Sequence, residues 1–128
     1  MYKLINFPRI IDPRGNLTFL QNFDQIPFKI ERVFWTYDVP GGEMRGGHAY
    51  KTQEEVIIAL SGSFDVIIQK ANGETETFSL NRSYYGLYLP PNIWRHMENF
   101  STNAVGLHLS SLAFADEDYT RDLNLLYR

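Results

Sequence analysis

The sequence predicts an all-β fold of the sandwich or barrel type, and three observations carry that expectation. Short β-branched and aromatic runs recur at intervals of about 8–12 residues, with turn residues between them. Nine Phe, eight Tyr and two Trp make up 15% of the chain, an excess that suits strands, interfaces and stacking sites. Only residues 116–128 read as helical: acidic side chains come first, Leu123, Leu126 and Tyr127 share a face, and Arg128 closes the segment. A length of 128 residues suits one domain, 1–128.

The elements follow in order. Residues 2–11 are short apolar runs broken by Pro8, the pattern of an edge strand or a chain-swapped arm. Asp12-Pro13-Arg14-Gly15-Asn16 is a tight turn, because Pro presets φ while Gly and Asn tolerate the left-handed region. Residues 17–23 and 28–39 alternate well enough to be strands, the second ended by Pro40-Gly41-Gly42. Residues 52–69 predict a hairpin turning at Leu60-Ser61-Gly62-Ser63, and Asn72-Gly73 turns the chain into a further strand at 75–80. Residues 86–89, 93–100 and 104–112 complete the set, with Pro90-Pro91-Asn92 as the first stop.

Composition excludes several functions. A net charge of −3 and a pI near 5.5, with no basic run, argue against nucleic acid as a partner. The absence of cysteine removes disulfides, zinc–thiolate sites and cysteine nucleophiles together. Residues 1–8 lack the long apolar region of a signal peptide, and no window approaches the ~18 apolar residues of a membrane span, so no membrane partner and a cytoplasmic location are expected.

Chemistry concentrates at Gly41-Gly42-Glu43-Met44-Arg45-Gly46-Gly47-His48-Ala49-Tyr50-Lys51-Thr52-Gln53-Glu54-Glu55, which runs into Val56-Ile57-Ile58-Ala59-Leu60-Ser61-Gly62. The spacing of Gly42, His48, Tyr50, Glu55 and Gly62 resembles the first cupin motif, with Tyr50 where a second His is usual. Residues 86–96, from Gly86-Leu87-Tyr88-Leu89 to Trp94-Arg95-His96, resemble the second motif more loosely. Along nearly its whole length the chain resembles the sugar-nucleotide 3,4-ketoisomerases, the small WxcM-like cupins. The likeness runs from Ile5-Asn6-Phe7 through Ile11-Asp12-Pro13-Arg14-Gly15-Asn16-Leu17, Ile26-Pro27-Phe28, Arg32-Val33 and Arg45-Gly46-Gly47-His48-Ala49-Tyr50-Lys51 to Asp116-Glu117-Asp118-Tyr119. In that family the central motif usually reads His-Ala-His-Lys. The resemblance implies a cupin (RmlC-like) double-stranded β-helix jelly roll with a short C-terminal helix, a homodimer, and isomerisation of dTDP-4-keto-6-deoxyglucose to a 3-keto isomer in deoxysugar biosynthesis, of the kind that supplies lipopolysaccharide.

That reaction needs a base for the C3 proton, a group to stabilise the enediolate and an acid to reprotonate C4; it demands no metal or redox cofactor. His48, with a reference pKa near 6.5, suits the base, and the two-residue strand period puts Tyr50 on the same face. A neutral phenol there can act as the acid, or it can simply fill the interior. With the second His lost, His48, Glu55 and His96 make a poor set for a divalent metal, so no metal is expected. Arg14 and Arg45 match family positions and suit a pyrophosphate through bidentate forks. Either Arg95 or His96 faces inward, since neighbours on a strand point opposite ways; Tyr37 and Trp94 are candidates to stack on thymine. His108, between Leu107 and Leu109, either faces the barrel interior or is a satisfied core histidine, the second being the preferred reading. A related sugar-nucleotide epimerase and a non-catalytic sugar-nucleotide-binding cupin are the alternative functions.

Overall fold

Ten strands form two five-stranded sheets in the computed structural model, which describes residues 1–127. The strands are β1 (Lys3–Asn6), β2 (Arg32–Thr36), β3 (Arg45–Tyr50), β4 (Glu55–Ser61), β5 (Phe64–Gln69), β6 (Thr75–Leu80), β7 (Tyr85–Leu89), β8 (Trp94–Glu98), β9 (Val105–Ser110) and β10 (Tyr119–Thr120). One sheet has the order β1-β7-β4-β9-β2 and the other β10-β3-β8-β5-β6, with every pairing antiparallel. This is the expected jelly roll, which buries one face of each sheet against the other.

The core has two compartments on either side of β4. Ile57 and Ala59 face the space between the sheets and pack with Phe64, Val66, Ile68, Leu87 and Leu89. Val56 and Ile58 face outward, where Phe7, Ile26 and Phe28 cover them. A strand buried on both faces reads as a continuous apolar run, as 56–59 does.

Two expectations about pairing are corrected by this arrangement. Residues 52–69 do not form a hairpin: β4 pairs with β7 and β9, β5 with β6 and β8, and Ser61-Gly62-Ser63 carries the chain from one sheet to the other. Both edges of β4 are occupied, so β5 has no ladder to join. Gly62 at φ 66° turns that corner, where a Cβ would come within 2.8 Å of the Ala104 Cα. Residues 17–23 are not a strand either. They make only isolated bridges, Ile10 with Leu17 and Asn22 with Ile26, because residues 7–30 are spent covering the outer face of β4. The Asn72-Gly73 turn does join β5 to β6, with Gly73 at φ 89°. At the N-terminus β1 is an edge strand, as expected, and it ends before Pro8.

The predicted C-terminal helix is also shorter than expected. Asp116–Asp118 form one 3-10 turn, β10 follows, and only Leu123–Leu126 (α1) is helical, capped by the Asp122 carboxylate accepting from the Asn124 N–H. Arg128 lies outside the described residues. Competition from Asp118 explains the break. Its buried carboxylate accepts from the Thr52 N–H (2.9 Å), the Thr52 hydroxyl (2.6 Å) and the Gln53 N–H (3.2 Å), while its carbonyl accepts from the Lys51 N–H (2.8 Å). Those bonds stitch the segment to the end of β3, where a helix at 116–120 would not reach.

Candidate active site

The site begins with an irregularity in β3. In the β3–β8 ladder Arg45 lies opposite Met97 and His48 opposite Arg95, so β3 holds one residue more than β8 between those pairs. Opposed residues in an antiparallel ladder point to the same face, and Arg95 and Met97 are the two buried, inward residues of β8. The bulge therefore puts Arg45 and His48 on one face although three residues separate them; a regular strand would set them on opposite faces. Gly46, at φ 77°, takes the left-handed conformation this requires.

Between the sheets, at this end, is a cavity of about 350 Å³. His48 and Tyr50 enter it from β3, Glu55 from β4, Arg95 from β8, His108 from β9 and Tyr119 from β10. Tyr50 and Tyr119 are directly opposed, with ring centroids 4.8 Å apart and hydroxyls at 3.4 Å. The His48 ring stands 4.7 Å from Tyr50 and 5.1 Å from Tyr119. Its Nε2 is buried with no protein partner. A buried polar atom left unpaired costs about 1–3 kcal/mol, a cost that a ligand atom in the cavity would remove.

Charge in the cavity is arranged around Glu55. Its Oε1 accepts from the Arg95 guanidinium at 2.9 Å, and its Oε2 lies 3.3 Å from His108 Nδ1, close but not aligned as a hydrogen bond. Both side chains of the Glu55–Arg95 pair are about 2–3% exposed. Burial alone would raise the Glu55 pKa; Arg95 first and His108 second outweigh it and hold the carboxyl at about 2. Arg95 also donates to the Ile93 carbonyl and sits 4.8 Å from the Tyr50 ring centre. His108 stacks on Phe34 at 4.4 Å, with its Nε2 3.3 Å from the Thr36 hydroxyl.

These surroundings tune the two central groups. Burial, reinforced by the Arg95 charge and opposed by Glu55, lowers the His48 pKa to about 4, so the imidazole is neutral at pH 7. Burial, the Glu55 charge and the hydrogen bond with Tyr119 all push the Tyr50 phenol up, so it stays protonated. A neutral imidazole and a protonated phenol thus share one wall. The same residues do not fit a divalent metal ion, since Glu55 already faces a guanidinium; among the described residues no group of three His, Asp or Glu side chains is placed to hold one.

The other candidates divide by position. Arg45 lines the cavity. Arg95 points inward and His96 outward, where its Nε2 lies 2.7 Å from Glu98. Trp94 shares that outer face of β8 and lies beside Gly47, Tyr37 is exposed just past β2, and Arg14 is 90% exposed in its turn, paired with Asp12 at 3.0 Å. None of these last three lines the cavity. His108 does line it. The sequence assigns no role to Tyr119 or to Arg121, which stacks on the Tyr119 ring at 4.3 Å; the Asp116-Glu117-Asp118-Tyr119 motif is the one signal for Tyr119, and Arg121 lies two residues past it.

A jelly roll with a cavity lined by titratable side chains inside one end of its barrel is a cupin, here with the Glu55–Arg95 ion pair inside it. More particularly, the chain belongs to the WxcM-like family: the family described as "FdtA: WxcM-like, C-terminal" matches residues 1–127. A TDP-4-oxo-6-deoxy-alpha-D-glucose-3,4-oxoisomerase of Aneurinibacillus thermoaerophilus is 40% identical over 119 residues, 93% of this chain and 85% of the relative. The WlaRB TDP-quinovose 3,4-ketoisomerase of Campylobacter jejuni superimposes with a TM-score of 0.92 at 38% identity, over 98% of this chain and 96% of its own. A variant of the 3,4-ketoisomerase QdtA from Thermoanaerobacterium thermosaccharolyticum, solved with TDP-4-keto-6-deoxyglucose, gives 0.94 at 33% identity, over 98% and 91%.

Proposed function

We propose that this chain is a sugar-nucleotide 3,4-ketoisomerase that converts dTDP-4-keto-6-deoxyglucose to a dTDP-3-keto-6-deoxyhexose. The observation that carries the chemistry is the neutral, unpartnered His48 imidazole beside the protonated Tyr50 phenol in one cavity. His48 removes the C3 proton; the electron pair becomes the C3=C4 bond and the C4 carbonyl pair moves onto O4, which takes a proton from Tyr50. Collapse of the enediol the other way makes the C3 carbonyl and returns a proton to C4. The composition of the sugar is unchanged, so no external oxidant or reductant enters, and the steps need no metal.

Arg45 and Arg121, both lining the cavity, supply cations for a pyrophosphate; Arg14, Tyr37 and Trp94 are left for the nucleotide portion outside it. The named relatives that act on TDP-sugars support this choice of substrate. Incubation with dTDP-4-keto-6-deoxyglucose in D2O, followed by NMR, tests the proposal: deuterium at C3 of the recovered substrate and a 3-keto product labelled at C4 are expected. Exchange with inversion but no carbonyl migration would make the chain an epimerase, and neither exchange nor migration would make it a non-catalytic binder.

The same proposal extends to assembly and setting. A homodimer fits the open edge of β2, where Val33, Trp35 and Tyr37 are 49–61% exposed. A dimeric mass is expected at micromolar concentration, and a monomer would overturn it. A cytoplasmic role in making deoxysugars for lipopolysaccharide fits the proposed substrate.

A further inference from the structure

Carbonyl migration moves two protons, one between carbons and one between oxygens. C3–H and O3–H are lost while C4–H and O4–H are gained. His48 is one base, and one base does not account for both transfers. We infer that Tyr119 acts through Tyr50, as a phenol pair that carries the oxygen-bound proton from O3 to O4 while His48 handles the carbon-bound one. This inference rests on the ketoisomerase function proposed above.

The pair is built by register. Tyr119 and Tyr50 are opposed across the β10–β3 ladder and both line the cavity, with their hydroxyls 3.4 Å apart. That separation is long for a hydroxyl pair, and such contacts commonly tighten only when substrate is bound. Tyr50 is 2% exposed, and among the described residues Tyr119 is the hydroxyl it meets. After donating, Tyr50 therefore has a neighbour from which to recover its proton. Tyr119 is half-buried and cannot drift, because Asp118 beside it is held by Thr52, Gln53 and Lys51. The Arg121 guanidinium, held by Asp116 at 2.9 Å, lies over its ring at 4.3 Å and fixes its orientation further.

The balance closes without an added reactant. O4 takes the Tyr50 proton, Tyr50 takes the Tyr119 proton, and Tyr119 takes the proton of O3–H as the C3 carbonyl forms. Both phenols end as they began.

Tyr119→Phe keeps the ring and deletes only the relay atom. With dTDP-4-keto-6-deoxyglucose in D2O, formation of the 3-keto product is expected to fall by about 10²-fold or more. Deuterium incorporation at C3 should stay near the unsubstituted chain's rate, because His48 and the Tyr50 donor remain. A merely structural tyrosine would lower both rates together. Unchanged migration, or exchange and migration falling by the same factor, overturns the inference. An unsubstituted chain that neither exchanges nor isomerises fails at the parent function instead, and that outcome is visible before any substitution is made.

Discussion

His48→Asn is expected to lower C3 proton exchange and carbonyl migration together, by about 10²–10⁴-fold, with KM little changed. Asn preserves much of the side chain's volume and polarity but cannot accept a carbon-bound proton. The joint loss separates this substitution from Tyr119→Phe, where only migration falls. Acidity makes a second part of the same prediction. Burial first, then Arg95, sets the imidazole near pKa 4, so the acid limb of kcat/KM should fall near pH 4 rather than near the ordinary histidine value of about 6.5. An acid limb near pH 6.5, or His48→Asn retaining ordinary exchange, would remove His48 as the base.

Glu55→Gln is the substitution with the largest expected cost in stability, about 3–5 kcal/mol, measured as the shift of a denaturant midpoint at pH 7. It strips the counter-charge from Arg95, a guanidinium only about 3% exposed, and leaves His108 Nδ1 facing a neutral amide. The double change Glu55→Leu with Arg95→Met should recover much of that loss, since it removes both charges and leaves apolar volume. Catalysis suffers as well, because Glu55 is the charge that holds the His48 pKa up against burial and Arg95. The pH dependence has a definite sign. Glu55 titrates lower folded than unfolded, so its contribution is complete above about pH 4.5 and lost as pH falls toward 2. His48 adds to this between about pH 6.5 and 4, where the unfolded chain takes up a proton that the folded one refuses. A loss below about 1 kcal/mol for Glu55→Gln would show that water, not Glu55, compensates Arg95.

How much of this was legible depends on the range of the forces involved. The Asn72-Gly73 turn and the start of β6 are visible because local backbone conformation decides them. The double burial of β4 shows in its unbroken apolar run. The supposed hairpin at 52–69 fails for the opposite reason. Two runs with a glycine turn between them satisfy every local rule, yet β7 and β9, 85 to 110 in the sequence, take both edges of the first run. Residues 17–23 alternate like a strand, but of these only Leu20 packs onto the apolar cover of β4, while Leu17, Phe19 and Phe23 stay exposed.

The site divides in the same way. His48 and Tyr50 share a face by the two-residue period alone, and the WxcM-like motifs place the chemistry around them. Whether Arg95 or His96 looks inward was open, because both parities suit a short strand; the register against β3 and β5 decided for Arg95. Arg45 joins His48 only through the bulge at Gly46. The sequence by itself determined the strand-rich class, the family motifs and the His48–Tyr50 pairing, all matters of neighbours a few residues apart. Tertiary structure alone decided that Glu55 faces the Arg95 guanidinium, and that Tyr119, 69 residues from Tyr50, completes its hydroxyl pair. Charge and proton transfer act over a few ångströms of space, and only the folded sheets bring those atoms that close.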